Sequence, residues 1–367
     1  MKKALKITGR ILLIILILLL LFTLVTFIIH RVKSDQETAL LKEKGYYAPV
    51  SVGDYSLNVA EFGNENGSHT IVALAGLGMG DHSVTERQMT AVLEKDNTVV
   101  FIDRAGYGLS DDTDNDMTIE YIVENYRKAL QNAGIKAPYI LMPHSIGGAY
   151  ANYWSCRYPD EIEAIAFLDG TQLSDEVFEE NESGSVGIKE DIICFFAAKL
   201  GFGRYRLREC EWLLPDNYSE EEQYLADALQ LRTEYSAALA SEEYEHDKNL
   251  QAAWSGLAAN DIPKLYICSS WGAKTKAELI GSLEWIGSLQ EKNHKRTSSI
   301  SVSDIPEERI TQQLDAFETL RQDVIYPYAE KMGNCEVVLL AGDHAIYEQR
   351  PEECGEIIKA FIDRLDS

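Results

Sequence analysis

The feature that most constrains the fold of this chain is a series of short, almost wholly apolar segments separated by longer polar ones. The six segments span residues 70–75, 98–102, 139–142, 164–168, 264–268 and 336–340. Each has the length of a β-strand, and amphipathic helical patterns such as 119–133, closed by Gly134, lie between them. Strands without polar alternation are buried on both faces, and strands that alternate with helices form parallel sheets. The sequence therefore predicts an α/β fold with a mostly parallel sheet and helices on both faces.

Two stretches are too long to be ordinary connections between a strand and a helix. Residues 171–262 are polar, helical in pattern and contain several aromatic residues, and residues 271–334 include a polar loop at 292–303. We expect the first to be a helical cap insertion over the strand ends and the second to be a smaller insertion. The core then falls into a first part at 34–170 and a second part at 263–367.

The N-terminal region has a different character from the rest of the chain. Residues 11–29 are uncharged and apolar apart from two threonines. A helix of this length rises about 1.5 Å per residue and nearly matches the roughly 30 Å hydrocarbon core of a bilayer. The run is longer than the apolar region of a signal peptide and lacks a small-residue cleavage site. We expect an uncleaved transmembrane anchor within residues 1–33, then a linker at 34–45 and a β-hairpin at 50–62.

The distribution of charge predicts the orientation of this anchor. Four basic residues precede the apolar run and two follow it closely, which favours a cytoplasmic tail and an extracytoplasmic soluble domain. The first 33 residues carry six of the 34 Lys and Arg residues and no acidic residue, leaving 28 basic against 59 acidic residues elsewhere. Such a surface should repel nucleic acid and anionic headgroups. We expect a single-pass protein of the cell membrane without a nucleic-acid partner, and the oligomeric state stays open.

The segment after the apolar run 139–142 has the pattern of a nucleophile elbow. It reads Pro-His-Ser-Ile-Gly-Gly at 143–148, and an amphipathic helical pattern follows. In such a strand, turn and helix the serine projects from a strained turn, and its neighbours two positions away must be small. Gly147 meets this requirement, whereas Pro143 stands where a glycine is usual. The pattern predicts that Ser145 is a nucleophile.

Three further motifs accompany this turn. Residues 103–110 read DRAGYGLS, residues 75–78 read AGLG, and residues 342–344 read GDH after the last apolar run. In this order they resemble the motifs of the α/β-hydrolase family, which includes lipases, esterases and aminopeptidase-like enzymes. The first is similar to the family's DRxGxGxS turn, the second to its oxyanion loop and the third to its catalytic histidine loop. The resemblance extends from about residue 55 to residue 365 and implies the α/β-hydrolase fold.

His344 is the predicted general base. Among the seven histidines it lies at the carboxyl end of a strand, whereas His144 adjoins Ser145 and should point away from it. A neutral imidazole would remove the proton of the Ser145 hydroxyl, which is a poor nucleophile on its own. The resemblance implies an oxyanion hole made by the backbone N–H groups of Leu77 and Ile146. It also implies acyl transfer to water, because relatives that open epoxides or displace halide use an aspartate nucleophile.

The acid that should orient His344 is missing from its usual place. Many relatives carry it after the penultimate strand, but residues 267–271 contain no carboxylate. Asp169 follows the preceding strand, at a position that the fold also uses, and it is the predicted third member of a triad. A structural turn aspartate is the alternative interpretation of Asp169. Glu278 and Asp304, in the second insertion, stay open as candidates.

The cysteines give no indication of a metal site. The six residues lie far apart, without a CxxC pair or a histidine at metal-ligand spacing, and both disulfides and free thiols are compatible with the sequence. Together with the motifs above, the sequence predicts a membrane-anchored serine hydrolase that cleaves an ester or an amide through an acyl-enzyme on Ser145, with an ester favoured. We expect a small acyl or peptide substrate and no metal or other cofactor. Two alternatives stay open: a surface peptidase, and a catalytically impaired relative that binds a lipid or a peptide.

Overall fold

An eight-stranded sheet forms the centre of the computed structural model, which describes residues 2–174, 196, 199–205, 213–292 and 305–366. Its strands are β1 (Pro49–Ser51), β2 (Ser56–Gly63), β3 (Thr70–Leu74), β4 (Thr98–Ile102), β5 (Tyr139–Pro143), β6 (Ile162–Leu168), β7 (Lys264–Cys268) and β8 (Cys335–Leu339). They lie in the order β1-β2-β4-β3-β5-β6-β7-β8. The strands from β3 to β8 are parallel, and β2 pairs antiparallel with both β4 and β1. The predicted α/β fold with a mostly parallel sheet is confirmed.

Helices cover both faces of the sheet. The described α-helices are α1 (Lys2–Glu43), α2 (His82–Thr85), α3 (Arg87–Thr90), α4 (Ile119–Ala133), α5 (Gly147–Arg157), α6 (Glu220–Thr233), α7 (Ala237–Gly256), α8 (Lys276–Lys292), α9 (Glu307–Leu320), α10 (Tyr326–Met332), α11 (Ile346–Gln349) and α12 (Pro351–Asp363). Short 3₁₀ turns lie at Leu93–Lys95 and Pro159–Glu161, and a π-helical turn lies at Arg321–Ile325. Local sequence sets the bounds of α4: the Thr118 hydroxyl accepts a hydrogen bond from the Tyr121 N–H, and Gly134 ends the helix with a φ of 81°. Glycine adopts this left-handed conformation without steric cost.

Two apolar layers hold these helices against the sheet. On one face, Tyr126 of α4 and Trp154 of α5 are fully buried, and their rings stack with centroids 6.2 Å apart. On the other face, Met89 of α3 and Ile358 of α12 are fully buried. Unpaired polar groups are costly in such an interior. The ends of the strands, where the sheet reaches solvent, are therefore favoured positions for polar side chains without a partner in the core.

Helix α1 is longer than the sequence analysis predicted. It runs without interruption to Glu43, so the linker predicted at 34–45 is wrong. The polar composition of this segment suggested a linker, but tertiary contacts keep it helical: Leu41 is fully buried and Glu37 forms an ion pair with Arg204 at 2.7 Å. The apolar part of α1 is almost entirely exposed, and the helix is long and apolar enough to cross a membrane.

The part of the chain predicted as a cap contributes α6 and α7, between β6 and β7. Residues 175–195, 197–198 and 206–212 of this part lie outside the described residues. A capping box starts α6, because the Ser219 hydroxyl accepts from the Glu222 N–H while the Glu222 carboxylate accepts from the Ser219 N–H. Two sequence-encoded caps therefore fix the beginnings of α4 and α6.

The second predicted insertion contributes α8, α9 and α10, between β7 and β8. Its predicted polar loop lies almost wholly outside the described residues, and so does the candidate acid Asp304. Four of the six cysteines are described and are free thiols, at positions 156, 268, 335 and 354.

Candidate active site

The carboxyl ends of the parallel strands bring the sequence motifs together at one edge of the sheet. Ser145 follows β5, Asp169 follows β6 and His344 follows β8. The AGLG segment at 75–78 follows β3, and the DRAGYGLS segment at 103–110 follows β4. Parallel strands that enter a sheet from the same side end at the same edge, where ligand sites of such folds lie. This edge is the candidate active site.

Ser145 stands on a strained turn. Its φ of 51° is in the left-handed region that non-glycine residues rarely adopt. Hydrogen bonds to the neighbouring strand hold it there, because the Ser145 N–H donates to the Leu168 carbonyl at 3.3 Å and the Ser145 carbonyl accepts from the Thr171 N–H at 2.9 Å. The turn therefore presents the serine side chain beyond the end of the sheet.

Close contacts around this turn favour glycine at two positions. A Cβ atom on Gly147 would lie 2.7 Å from the Leu74 carbonyl oxygen. A Cβ atom on Gly76, in the loop opposite, would lie 3.2 Å from the Cβ atom of Ser145. Side chains at these two positions would push the serine turn away from β3 and from the loop that follows it.

A direct hydrogen bond joins His344 to Asp169. The Nδ1 atom of His344 donates to Oδ2 of Asp169 across 2.7 Å, which leaves Nε2 on the opposite side of the ring. Asp169 is buried, whereas about half of the His344 side chain is exposed. Burial alone would lower the pKa of His344, but the hydrogen bond and the charge of Asp169 raise it above its ordinary value. Burial would raise the pKa of Asp169, but His344 and the neighbouring donors hold it below its usual range.

Two serines in the connection after β7 bind the Asp169 carboxylate. Its Oδ1 atom accepts from the Ser269 N–H at 2.7 Å, and its Oδ2 atom accepts from the Ser270 hydroxyl at 2.5 Å. The connection after β7 thus supplies donors to a carboxylate instead of the carboxylate itself. Glu278 does not compete for this role, because its carboxylate accepts the Lys274 and Thr275 N–H groups at the start of α8.

The loop after β3 is held by a buried arginine. Arg104 donates to the carbonyl oxygens of Ala75 and Gly76, both at 2.7 Å. Because the peptide bond is planar and trans, its C=O and N–H groups point in opposite directions. The contact with the Gly76 carbonyl therefore turns the Leu77 N–H away from Arg104. In the described part of the chain neither the Leu77 nor the Ile146 N–H has a hydrogen-bond acceptor.

A cap residue holds the same loop from the other side. The side-chain amide of Gln230, in α6, donates to the Gly78 carbonyl at 2.8 Å and accepts from the Gly80 N–H at 3.1 Å. The Gly78 N–H donates to the Tyr107 hydroxyl at 2.9 Å. The backbone from 75 to 80 is therefore fixed by side chains from both the core and the cap.

His144 supports the His344 loop and is not placed to act as the base. Its Nε2 atom lies 3.1 Å from the His344 carbonyl oxygen, which can only accept, so Nε2 carries the proton. Burial, together with repulsion from His344, lowers the pKa of His144 to about 3, so the ring stays neutral. The two rings lie 4.6 Å apart between centroids. The sequence predicted that the His144 side chain points away from Ser145, because neighbouring side chains at a strand end point to opposite sides. That rule does not indicate the contact between His144 and the His344 loop.

An open cleft of about 570 Å³ joins these groups to the cap. Ser145, His344 and Leu77 line it, together with residues of α6. Five of its lining residues are acidic: Asp81, Asp227, Glu234, Asp343 and Glu348. Burial raises the pKa of Asp81 to about 7, which reduces its charge near neutral pH. None of the described residues that line this cleft is a lysine or an arginine, so its potential favours neutral or cationic ligands.

Sequence reasoning missed the roles of Arg104 and Gln230. The DRAGYGLS motif drew attention to residues 103–110, but it gave no indication that the Arg104 side chain reaches the loop after β3. Gln230 lies in α6, and nothing in the sequence of this helix distinguishes it from the other polar residues there. Both contacts join segments that are distant in sequence, and no spacing rule finds them.

Comparison with known proteins agrees with this architecture. A family model described as the alpha/beta hydrolase fold matches residues 70–189. The uncharacterized protein YbdG of Bacillus subtilis (strain 168) is 41% identical over 143 residues, which are 39% of this chain and 43% of that protein. The uncharacterized protein C23C11.06c of Schizosaccharomyces pombe is 32% identical over 84 residues, 23% of this chain and 16% of that protein. The matches thus span less than half the length of these relatives.

Solved structures resemble nearly the whole chain at low sequence identity. The haloalkane dehalogenase DbeA from Bradyrhizobium elkani USDA94 matches 87% of this chain and 98% of its own, with 18% identity and a TM-score of 0.56. The lipase candidate lip1 from Acinetobacter baumannii AYE matches 90% of this chain and 96% of its own, with 16% identity and a TM-score of 0.54. These likenesses concern the fold. The family model and these structures therefore agree on the α/β-hydrolase fold for this chain.

Proposed function

We propose that the chain is a membrane-anchored serine hydrolase that cleaves a carboxylic ester through an acyl-enzyme on Ser145. The observation that carries this proposal is the hydrogen bond from His344 to the buried Asp169, beside a serine on a strained turn in the same cleft. His344 acts as the general base and later as the acid, and Asp169 orients its ring and stabilises the imidazolium. A preformed bond between Ser145 and His344 is not required, since such bonds tighten when substrate binds.

The oxyanion of the tetrahedral intermediate is stabilised by the N–H groups of Leu77 and Ile146. Neither group has an acceptor within the described residues, and Arg104 and Gln230 hold the loop that carries the first of them. Loss of one such donor costs about 3 to 4 kcal/mol in the barrier. Halide displacement is not proposed, although DbeA is named a haloalkane dehalogenase, because Ser145 stands at the nucleophile position.

Ser145→Ala is expected to abolish labelling by a fluorophosphonate probe and ester turnover while leaving the thermal melt nearly unchanged, because the hydroxyl serves chemistry more than packing. Ser155→Ala, a change in the same helical region at a serine outside the cleft, is the matched control and should keep labelling. His344→Ala should lose turnover as well, because it removes the base. Labelling that persists in Ser145→Ala would assign the nucleophile to another residue. Absence of labelling in the unaltered protein would favour the binding-protein alternative.

Asp169→Asn is expected to lower kcat by about 10⁴-fold, as a comparable change does in a related triad, because the amide favours the wrong imidazole tautomer. The carboxylate also raises the pKa of His344. Activity requires the neutral His344 ring, so kcat should rise with pH through the pKa of His344. Because the variant lacks the charge that raises this pKa, the acidic limb of its pH–activity profile should lie at lower pH. Asp160→Asn, an exposed change before β6, should alter neither quantity. If kcat falls less than roughly tenfold and the acidic limb of the pH–activity profile does not move, Asp169 is a structural turn residue.

The acidic lining of the cleft predicts discrimination by substrate charge. Butyrate and hemisuccinate esters of p-nitrophenol differ mainly in the charge at the end of the acyl chain. We expect kcat/KM for the butyrate to exceed that for the hemisuccinate by at least about tenfold at low ionic strength, with a smaller ratio in high salt. Alanine p-nitroanilide tests cleavage of an amide. If it is turned over faster than the two esters, the protein is a peptidase. Equal rates for the two esters would show that the carboxylates do not affect selection.

The anchor proposal predicts that the protein sediments with membranes and resists extraction by alkaline carbonate, because residues 11–29 form one uncharged apolar stretch of α1. A variant lacking residues 1–33 should be extracted. Protease added to intact cells should digest the soluble domain if the basic residues before the run keep the tail inside. Protection of that domain until the cells are lysed would reverse the orientation.

A further inference from the structure

Residues 199–205 pack along the apolar part of α1. The Phe22 ring lies 5.9 Å from that of Phe202 and 5.7 Å from that of Tyr205, between centroids. The Thr26 and Tyr205 hydroxyls are 2.9 Å apart. Gly201 approaches His30 so closely that a Cβ atom on it would lie 2.3 Å from the His30 Cβ. The contacts from Phe22 to His30 cover about 12 Å of the helix axis. This segment of the chain therefore follows α1 into the apolar zone.

A basic cleft of about 270 Å³ lies where the apolar run of α1 ends. Four cationic side chains line it: Arg31 from α1, Lys199 and Arg204 from the segment beside it, and Arg232 from α6. Among the described lining residues Asp112 is the one carboxylate, and its two oxygens accept the Ala237 and Ala238 N–H groups at the start of α7. A chain with a net charge of −25 thus concentrates positive charge at this point.

The four cations are not all neutralised within the protein. Arg204 is paired, because it donates to both carboxylate oxygens of Glu37 at 2.7 and 2.8 Å. Arg232 donates through one terminal nitrogen to the Ser34 carbonyl and the Thr38 hydroxyl, but its Nε atom is buried and has no acceptor in the described part of the chain. Burial lowers the pKa of Arg232, which means that its charge lacks full compensation.

Exposed aromatic side chains continue from this cleft along α1. Phe196 and Tyr205 expose 47% of their surface each, and the Phe202 ring lies between them, 6.1 Å from Phe196 and 6.4 Å from Tyr205. An apolar wall joined to a cationic cleft matches an amphiphile whose charged end is anionic. Arginine and lysine bind phosphate oxygens well, and basic residues beside a membrane attract anionic headgroups.

We propose that this cleft binds the phosphate group of a membrane phospholipid, with the acyl chains lying against Phe196, Phe202 and α1. Arg31, Lys199 and Arg232 contact the phosphate, and the chemistry they recognise is a phosphate group beside an uncharged headgroup, as in phosphatidylglycerol. The proposal rests on the membrane anchor proposed above. The lipid links three segments, α1, residues 199–205 and α6, and α6 also carries Gln230 to the loop after β3.

The test uses the full chain in neutral dodecyl maltoside micelles, with dihexanoyl phosphatidylglycerol as the probe, below its own micelle concentration. Isothermal titration should show one molecule bound per chain. Dihexanoylglycerol, which lacks the phosphate, and inorganic phosphate, which lacks the chains, form the two comparison arms, and each should bind at least about tenfold more weakly. Neither membrane insertion nor ester turnover enters this measurement, so failure of the anchor or of the hydrolase leaves its result unaffected.

Lys199→Gln and Arg232→Gln should each weaken binding of the probe at least about tenfold. Arg309→Gln, which removes an exposed arginine in α9, is the charge-matched control and should bind as the unaltered protein does. Lys199 is exposed, so Lys199→Gln should fold normally. It still tests the proposal if Arg232→Gln does not fold. Equal binding by Lys199→Gln and the control would overturn the proposal. Inorganic phosphate that binds as tightly as the probe would overturn the lipid assignment, and dihexanoylglycerol that does so would overturn the role of the phosphate.

Discussion

A buried guanidinium holds the candidate active site together. Arg104 leaves β4, donates to the two carbonyls at the start of the loop after β3, and contacts Glu242 of the cap helix α7 at 3.1 Å. The Tyr150 hydroxyl, in the helix that follows Ser145, donates to the same carboxylate at 2.5 Å. Burial opposes a charge here, but Glu242 holds the pKa of Arg104 above its ordinary value. The loop, the serine helix and the cap therefore share one ion pair, and removal of either partner leaves an uncompensated charge in the interior.

The sheet and the order of the site motifs could be predicted from the sequence because they depend on local patterns. Strands buried on both faces read as continuous apolar runs, and the turn at Ser145 needs small residues at fixed positions. The hairpin predicted at 50–62 is formed by β1 and β2 for the same reason, since polar and apolar residues alternate there. Helix α4 was also predictable, because Thr118 and Gly134 mark its two ends.

Contacts between distant segments could not be predicted in the same way. The prediction of Asp169 as the partner of His344 comes from the resemblance to the family and not from a local pattern. The contact itself depends on the register of three strands and on the donors Ser269 and Ser270, which appear in sequence as an ordinary polar turn. The helical extension of α1 to Glu43 depends on burial of Leu41 against the cap. The sequence around either segment does not indicate which distant residues that segment contacts.

The continuity of α1 has a consequence for where the candidate enzyme can act. From His30 to Glu43 the helix is about 20 Å long, and it is joined to the cap by Glu37 and Leu41 without a hinge in between. With the proposed anchor, the soluble domain cannot rotate freely relative to the membrane, as it would on a flexible linker. Its cleft is held at one height and one angle above the bilayer, so that diffusion in the plane of the membrane decides which substrates it meets.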